Sequence, residues 1–266
     1  MKLHSIIPNP SISNYVSKIF AIEDCKLHFD IGFPLIANGY PGFVFQETNS
    51  ELTSSGNQKV DSLFLFGQTI RPVELFTTGN LTLIAYFFYP HTLQTFFGFS
   101  ASELTDINID LNYLQPARDM NLREQLINAT SLSMRLQLMN NYVLKLAEPN
   151  YSNIQNNIFF ATHAIRKNKG LIALKTLHKE LGVSERTLRR LFDFHVGVSP
   201  RMFTRICQFD SAFQQLNNSQ FSRLSDVAYE NGYADQSHLT RSFKEFTNLT
   251  PSEYLKKSSD FLMLNS

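Results

Sequence analysis

The hydrophobic pattern changes period once along the chain, and the change divides it in two. Up to about residue 110 the apolar positions come in short runs of aromatic and β-branched residues. These are Gly42-Phe43-Val44-Phe45-Gln46-Glu47, Ser62-Leu63-Phe64-Leu65-Phe66 and the run from Leu81 to Tyr89. Asn38-Gly39-Tyr40-Pro41-Gly42 and Thr78-Gly79-Asn80 punctuate them as turns, so each run is expected as a strand. No helical pattern alternates with these strands, which points to an antiparallel sandwich or barrel. A helix is expected after Pro90, through Leu93, Phe96 and Phe97.

From about Tyr113 the period becomes helical. Leu132, Leu136, Met139, Val143 and Leu146 fall at steps of 4, 3, 4 and 3, one stripe of an amphipathic helix. That stripe either packs on the chain's own sheet, the favoured reading, or meets a second copy. Glu148-Pro149-Asn150 interrupts it and marks a domain boundary. Beyond it the chain reads as short helices with explicit stops. Ile154, Ile158, Ala161 and Ile165 form a first stripe, and Leu174 to Leu181 a second helix ended by Gly182. Ser184 caps a third, and Ser199-Pro200 opens a fourth with proline at its first position. A fifth stops at Gly232, a sixth opens at Asp235, and Thr250-Pro251-Ser252-Glu253 opens a seventh with a capping box. The expected fold is two-domain α+β. Residues 1–112 form a β-rich domain, 113–150 a helical connector packed on it, 151–258 an all-α domain of about seven helices, and 259–266 a tail.

Charge adds an asymmetry. The formal net charge of +1 divides into −4 for residues 1–150 and +5 for residues 151–266. A basic half joined to an acidic half is a hint of nucleic-acid contact. Composition narrows the class further. With 43% hydrophobic and 18% charged residues the chain is an ordinary globular one. Cys25 and Cys207 are the two cysteines, far apart in sequence, so neither a disulfide framework nor a cysteine zinc cluster is expected. No apolar run is long enough for a signal peptide or a bilayer span, and a cytoplasmic protein without membrane contact is expected.

The basic half repeats itself. Ser184-Glu185-Arg186-Thr187-Leu188-Arg189-Arg190-Leu191-Phe192 lies over Asp235-Gln236-Ser237-His238-Leu239-Thr240-Arg241-Ser242-Phe243, and Ser199-Pro200 over Thr250-Pro251. In each copy a short helix ends at glycine and a capped, polar-faced helix follows. That is the plan of the helix-turn-helix, whose second helix enters the DNA major groove. Two helical hairpins packed only for stability would explain the apolar positions. They would not explain Arg186, Arg189, Arg190, Gln236, Ser237, His238 and Arg241 on the outer faces. The connecting helix from Ser199 to Asn217 spans about 28 Å, close to the ~34 Å between successive major grooves.

On these residues the chain resembles the AraC/XylS family of bacterial transcription regulators. Leu177 through Phe192, Gly197-Val198-Ser199-Pro200 and Val227-Ala228-Tyr229-Glu230-Asn231-Gly232-Tyr233 carry the resemblance. Ser237 through Lys244 and Thr250-Pro251-Ser252-Glu253-Tyr254 complete it. It implies base contacts from Arg186, Arg189 and Arg190 in the first unit and from Gln236, Ser237, His238 and Arg241 in the second. Arginine suits guanine and glutamine suits adenine. Lys175, Thr240 and Lys244 are candidates for phosphate contacts, and Ser184, Glu185, Thr187 and Asp235 complete the two helix openings facing DNA. Residues 10–145 resemble the cupin-like sensor domain found in many members, through Gly39 to Phe45, Phe66-Gly67-Gln68-Thr69 and Gly98 to Asp106. The implied partners are double-stranded DNA, RNA polymerase, a small-molecule effector and a second copy of the chain. Three positions depart from the family pattern. His178 stands where alanine is usual, which suggests looser or shifted packing of the first unit there. Asn248 replaces glycine, and Leu239 replaces phenylalanine.

An enzyme is the rival class, but the sequence contains no G-x-S-x-G, P-loop, G-x-G-x-x-G or H-E-x-x-H motif. His4, His28 and His91 are scattered singly, unlike a metal-binding cluster, and Cys25 alone cannot supply a cysteine-held zinc. Neither metal nor cofactor is expected. An adaptor that has lost DNA binding is the second rival, and the retained outward arginines argue against it.

Overall fold

The computed structural model describes residues 2–54, 58–148, 156–219 and 221–263, with the backbone alone at 2–3, 24–35, 156 and 258–263. Pro149 and Asn150 of the expected boundary lie outside the described residues, as does Ile154. The side chains of Cys25 and His28 lie outside them too.

Among the described residues, eight antiparallel strands build the N-terminal part. They are β1 (Lys2–Ile6), β2 (Val16–Leu35), β3 (Gly42–Thr48), β4 (Thr53–Ser54), β5 (Gln58–Lys59), β6 (Leu63–Phe66), β7 (Val73–Phe88) and β8 (Asn108–Asp110). The sheet order is β1-β2-β7-β3-β6-β8, and the short β4–β5 hairpin pairs with the first half of β7. Thr78-Gly79-Asn80, expected as a break, lies inside β7. Gly79 takes φ +81° and pairs with Leu27, next to a register shift in β2. An irregularity in one strand opposite a left-handed glycine in the other lets the ladder continue through a bend. The twenty residues of β2 were also not foreseen, because Glu23, Asp24, Lys26, His28 and Asp30 break its apolar pattern.

Successive residues of the central strands feed different cores. Phe43, Phe45, Leu63, Leu65, Ile84, Tyr86 and Phe88 point to one face, and Val44, Phe64, Phe66, Ala85 and Phe87 to the other. Both faces are covered, which is why these strands read as unbroken apolar runs. On the first face lie α1 (Thr92–Phe97), a 3₁₀ turn (Ala101–Leu104), α2 (Gln115–Asp119), α3 (Leu122–Asn128) and α4 (Leu132–Ala147). The α4 stripe enters this core, with Met139, Tyr142, Val143 and Leu146 buried and Leu132 and Leu136 against them. Own-core packing is therefore the observed use of the stripe. The Tyr86 hydroxyl donates to Asn140 Oδ1 at 2.8 Å and fixes α4 to β7.

Seven helices follow among the described residues. They are α5 (Asn156–Lys167), α6 (Leu174–Glu180), α7 (Glu185–His195), α8 (Pro200–Asn217), α9 (Leu224–Glu230), α10 (Gln236–Thr247) and α11 (Pro251–Met263). The last continues to Met263, into the segment expected as a tail. Their shared core centres on α8, whose Phe203, Ile206, Phe209, Ala212, Phe213 and Leu216 are buried in succession. Phe209 meets the rings of Phe213, Phe243 and Phe246 at centroid distances of 5.7, 5.4 and 4.9 Å.

The two parts are interlocked. Ala37 is buried in the helical core, with Ile36 and Ile70 beside it. Arg166 of α5 donates through Nη2 to the Asn38 carbonyl at 2.6 Å and lies 3.5 Å over the Tyr40 ring. Its other nitrogen pairs with Asp210 at 3.7 Å. Further along, the Thr105 hydroxyl donates to the Gly197 carbonyl at 2.6 Å.

Candidate nucleic-acid interface

Each reading helix begins with a side chain that replaces a missing backbone partner. Ser184 Oγ accepts the Thr187 amide at 3.1 Å, and Asp235 Oδ1 accepts the His238 amide at 2.7 Å. Such caps stabilise the first turn of each helix by about 1 kcal/mol each. The turn before each helix needs a left-handed residue, and Gly182 (φ +64°) and Gly232 (φ +72°) supply it. Asn248 adopts the same region at φ +61° and ends α10, as its residue type allows.

The amphipathic design then fixes which side chains face outward. Leu188 and Phe192 of α7, and Leu239, Phe243 and Phe246 of α10, anchor the helices in the core. Opposite them Arg186, Arg189 and Arg190 are exposed on α7, and Gln236, Ser237, His238, Arg241 and Lys244 on α10. Ser184, Glu185, Thr187, Asp235 and Lys175 are exposed as well, while Thr240 is half-buried and donates its hydroxyl to the Gln236 carbonyl at 2.9 Å. The candidates therefore form two outward clusters, one on each unit. Ser184 and Asp235 already act as caps, so their first task is to orient the helix.

The units differ in detail. His178 is half-buried where its counterpart Ala228 is fully buried. In the second unit Asn231, 1% exposed, donates to Gln215 and to the Val227 carbonyl and accepts from Gln208, tying α9 to α8. Arg205 of α8 pairs with Glu245 of α10, and the Tyr233 hydroxyl meets that of Ser242 at 3.1 Å. On α7, Arg189 Nε lies 3.8 Å from Asp193, an exposed i,i+4 pair. Sequence reasoning missed the neighbour of this face. A groove of about 520 Å³ runs along α7 past Thr187, Arg190, Leu191, Asp193, Phe194 and His195, and Ser100 of the N-terminal domain forms its other side. Only a contact between residues distant in sequence creates it, so no local pattern announces it.

Two outward-facing, N-capped helices packed on one central helix define a double helix-turn-helix unit joined to a β-rich domain. Residues 177–257 match the family described as "Helix-turn-helix domain", and residues 4–110 match "Domain of unknown function (DUF6597)". An "Uncharacterized HTH-type transcriptional regulator" of Haemophilus influenzae is 33% identical over 116 residues, 40% of this chain and 39% of that one. The "HTH-type transcriptional regulator ExsA" of Pseudomonas aeruginosa is 29% identical over 129 residues, 48% of this chain and 44% of that one. The matches thus span less than half the length of these relatives. Among solved structures, ToxT from Vibrio cholerae O395 aligns over 91% of this chain and 97% of its own, with TM-score 0.51 and 11% identity. A second structure of ToxT, bound to (E)-4-(8-methylnaphthalen-1-yl)but-3-enoic acid, has TM-score 0.51 and 12% identity, covering 89% of this chain and 98% of that one. The chain shares the two-domain fold of ToxT, with its helix-turn-helix domain in the C-terminal part. No helix among the described residues is long and apolar enough to cross a membrane.

Proposed function

We propose that this protein is a cytoplasmic transcription regulator that reads two successive major-groove segments of double-stranded DNA with α7 and α10. The observation that carries the reading is the pair of capped helices turning arginine and amide side chains outward from one core. The 18 residues of α8 make a connector of about 27 Å, against ~34 Å for one turn of B-DNA. In this reading residues 151–258 are the DNA-binding unit. Arg186, Arg189, Arg190, Gln236, Ser237, His238 and Arg241 meet base edges, and Lys175, Thr240 and Lys244 meet phosphates. Site selection from random duplexes followed by footprinting tests it. The expected result is two protected half-sites about one helical turn apart. A footprint confined to one half-site, or no preference over random DNA, contradicts it.

The N-terminal domain is proposed to receive an effector, to pair with a second copy and to govern contact with RNA polymerase. For the effector, a carboxylic acid with an apolar body is the class to test first. Lys18 of β2 presents its ammonium where the sheet meets α5 and α8, 4.8 to 5.6 Å from the centroids of Phe20, Tyr40 and Phe87. Burial pushes its pKa down, Asp210 partly counters, and the Arg166 charge adds to the depression. An incoming carboxylate would relieve both costs, while the rings would receive the apolar body. Apolar acids should raise the melting temperature where the matching alcohols do not, and Lys18→Met should abolish the difference. Equal shifts by acid and alcohol would contradict the assignment, and sedimentation tests pairing.

A further inference from the structure

The C-terminal half of α7 is shared between the two domains. Its Phe192, His195 and Val196 are buried, and the helix packs against α1 and the 3₁₀ turn Ala101–Leu104 as well as against α5, α6 and α8. Gly197, directly after it, approaches that turn so closely that a Cβ there would lie 2.7 Å from the Ala101 carbonyl oxygen. His91, the residue before α1, sits at the same junction, 2% exposed. Neither of its ring nitrogens has a hydrogen-bond partner among the described residues. Its ring stacks on Tyr89 at 6.3 Å and meets Phe159 of α5 edge-on at 5.7 Å, so its surroundings are aromatic. His195 is 4% exposed and packs edge-on against Phe194 at 4.9 Å. The two imidazoles are near enough for a charge on His195 to disfavour a charge on His91.

We propose that His91 and His195 form a proton-operated latch between the N-terminal domain and the first reading helix, closed when both are neutral and opened by acid. A buried imidazole with no acceptor, as His91 is, cannot hold a proton without moving to water, and a charge on the nearby His195 adds to that cost. The neighbouring groups do not compensate. The end of β7 contributes Tyr89, α5 contributes Phe159 with His163 stacked on it, and α7 contributes Arg190 and Asp193 along the outer groove. Glu103 of the 3₁₀ turn is engaged with the Ser100 amide, and no carboxylate pairs with either imidazole among the described residues.

The direction follows from linkage. Burial, with His195 adding to it, pushes the pKa of His91 down to about 4, and burial lowers that of His195 too. When the domains part, each returns toward the ordinary ~6.5. Above that pH the contact has its full strength. As pH falls from 6.5 toward 4, the parted state takes up protons that the closed state refuses. For His91 alone, each pH unit in that window lowers the closed-to-open ratio by up to about tenfold.

The latch rests on the proposed DNA role of α7 only for its consequence, so it is tested first without DNA. Hydrogen exchange of the full chain, corrected for the intrinsic pH dependence, is compared at pH 7.5 and 5.5 for peptides covering 98–106 and 192–198. Peptides from β3 and β7 serve as the reference. Wild type should lose several-fold or more protection at the junction in acid while the reference is unchanged. His91→Gln and His195→Gln, neutral at both pH values, should each flatten the response. Either variant suffices should the other not fold. The proposal is overturned if wild type shows no loss, if both variants lose protection as steeply as wild type, or if the reference opens in parallel. A latch that opens in acid while affinity for the selected duplex stays constant leaves the latch standing and counts against the role given to α7.

Discussion

Gly182 and Gly197 both adopt positive φ, +64° and +93°, but their surroundings differ. A Cβ on Gly182 would have nothing within 4 Å. On Gly197 it would meet the Ala101 carbonyl oxygen at 2.7 Å and Thr105 Oγ1 at 2.9 Å. Alanine at position 182 therefore carries only the left-handed backbone penalty of roughly 1–2 kcal/mol, offset by about 0.4–1 kcal/mol from the stiffer unfolded chain. A net loss of up to about 1.5 kcal/mol is expected. Alanine at position 197 carries the same terms plus an overlap with backbone that no rotamer change relieves. The contact must shift, and the Thr105–Gly197 hydrogen bond goes with it, adding ~1 kcal/mol for the bond and at least as much for the packing lost. The expected total is about 2–4 kcal/mol, with exchange protection lost around residues 98–106. Urea unfolding of Gly182→Ala and Gly197→Ala side by side, with hydrogen exchange to locate the damage, checks both numbers. If the two cost the same and the junction stays protected in Gly197→Ala, the close approach contributes nothing and the reasoning fails.

Arg189→Ala or Arg190→Ala should relax base preference in one half-site and Gln236→Ala or Arg241→Ala in the other, by about 1–3 kcal/mol per lost bidentate contact, read by site selection. Lys244→Ala should weaken all duplexes alike and reduce the salt-dependence slope by about one unit, measured by titration at several ionic strengths. Residues 151–266 expressed alone should fold and prefer the selected site, checked by circular dichroism and binding. A folded fragment without preference would count against a self-sufficient DNA-binding unit. Phe209→Ala empties the centre of the helical core and should cost about 3–5 kcal/mol by urea unfolding.

The helical half was legible because its signals are local. Ser184, Ser199-Pro200, Asp235 and Thr250 cap the helices they were expected to cap. Asn248 takes the left-handed cap its chemistry permits. The sheet was legible only where both faces are apolar. β3 and β6 stand out as continuous runs, whereas β2 carries charges along its length and β7 passes through a turn-like tripeptide. Three local residues at Thr78-Gly79-Asn80 signal a turn, but pairing with β2 on one side and β3 and β4 on the other outweighs them. The outward side chains of the reading helices were legible from amphipathic spacing. What lies beside them was not, because Arg166 meets Asn38, and Thr105 meets Gly197, across long stretches of chain.

Those long-range contacts also break the symmetry that the internal repeat suggests. The repeat makes α7 and α10 equivalent in sequence, each opening with a cap and closing on the same core. Among the described residues α7 ends against the N-terminal domain, through His195 and the Gly197 junction, while α10 is tied to α8 through Arg205 and Glu245. A displacement of the N-terminal domain therefore acts on α7 directly, and it reaches α10 only by way of the shared core. Under the proposed function, the half-site read by α7 is then the one whose occupancy responds to effector or proton. The half-site read by α10 supplies a constant anchor. The hydrogen bonds of Asn231 to α8 hold the second unit to that core.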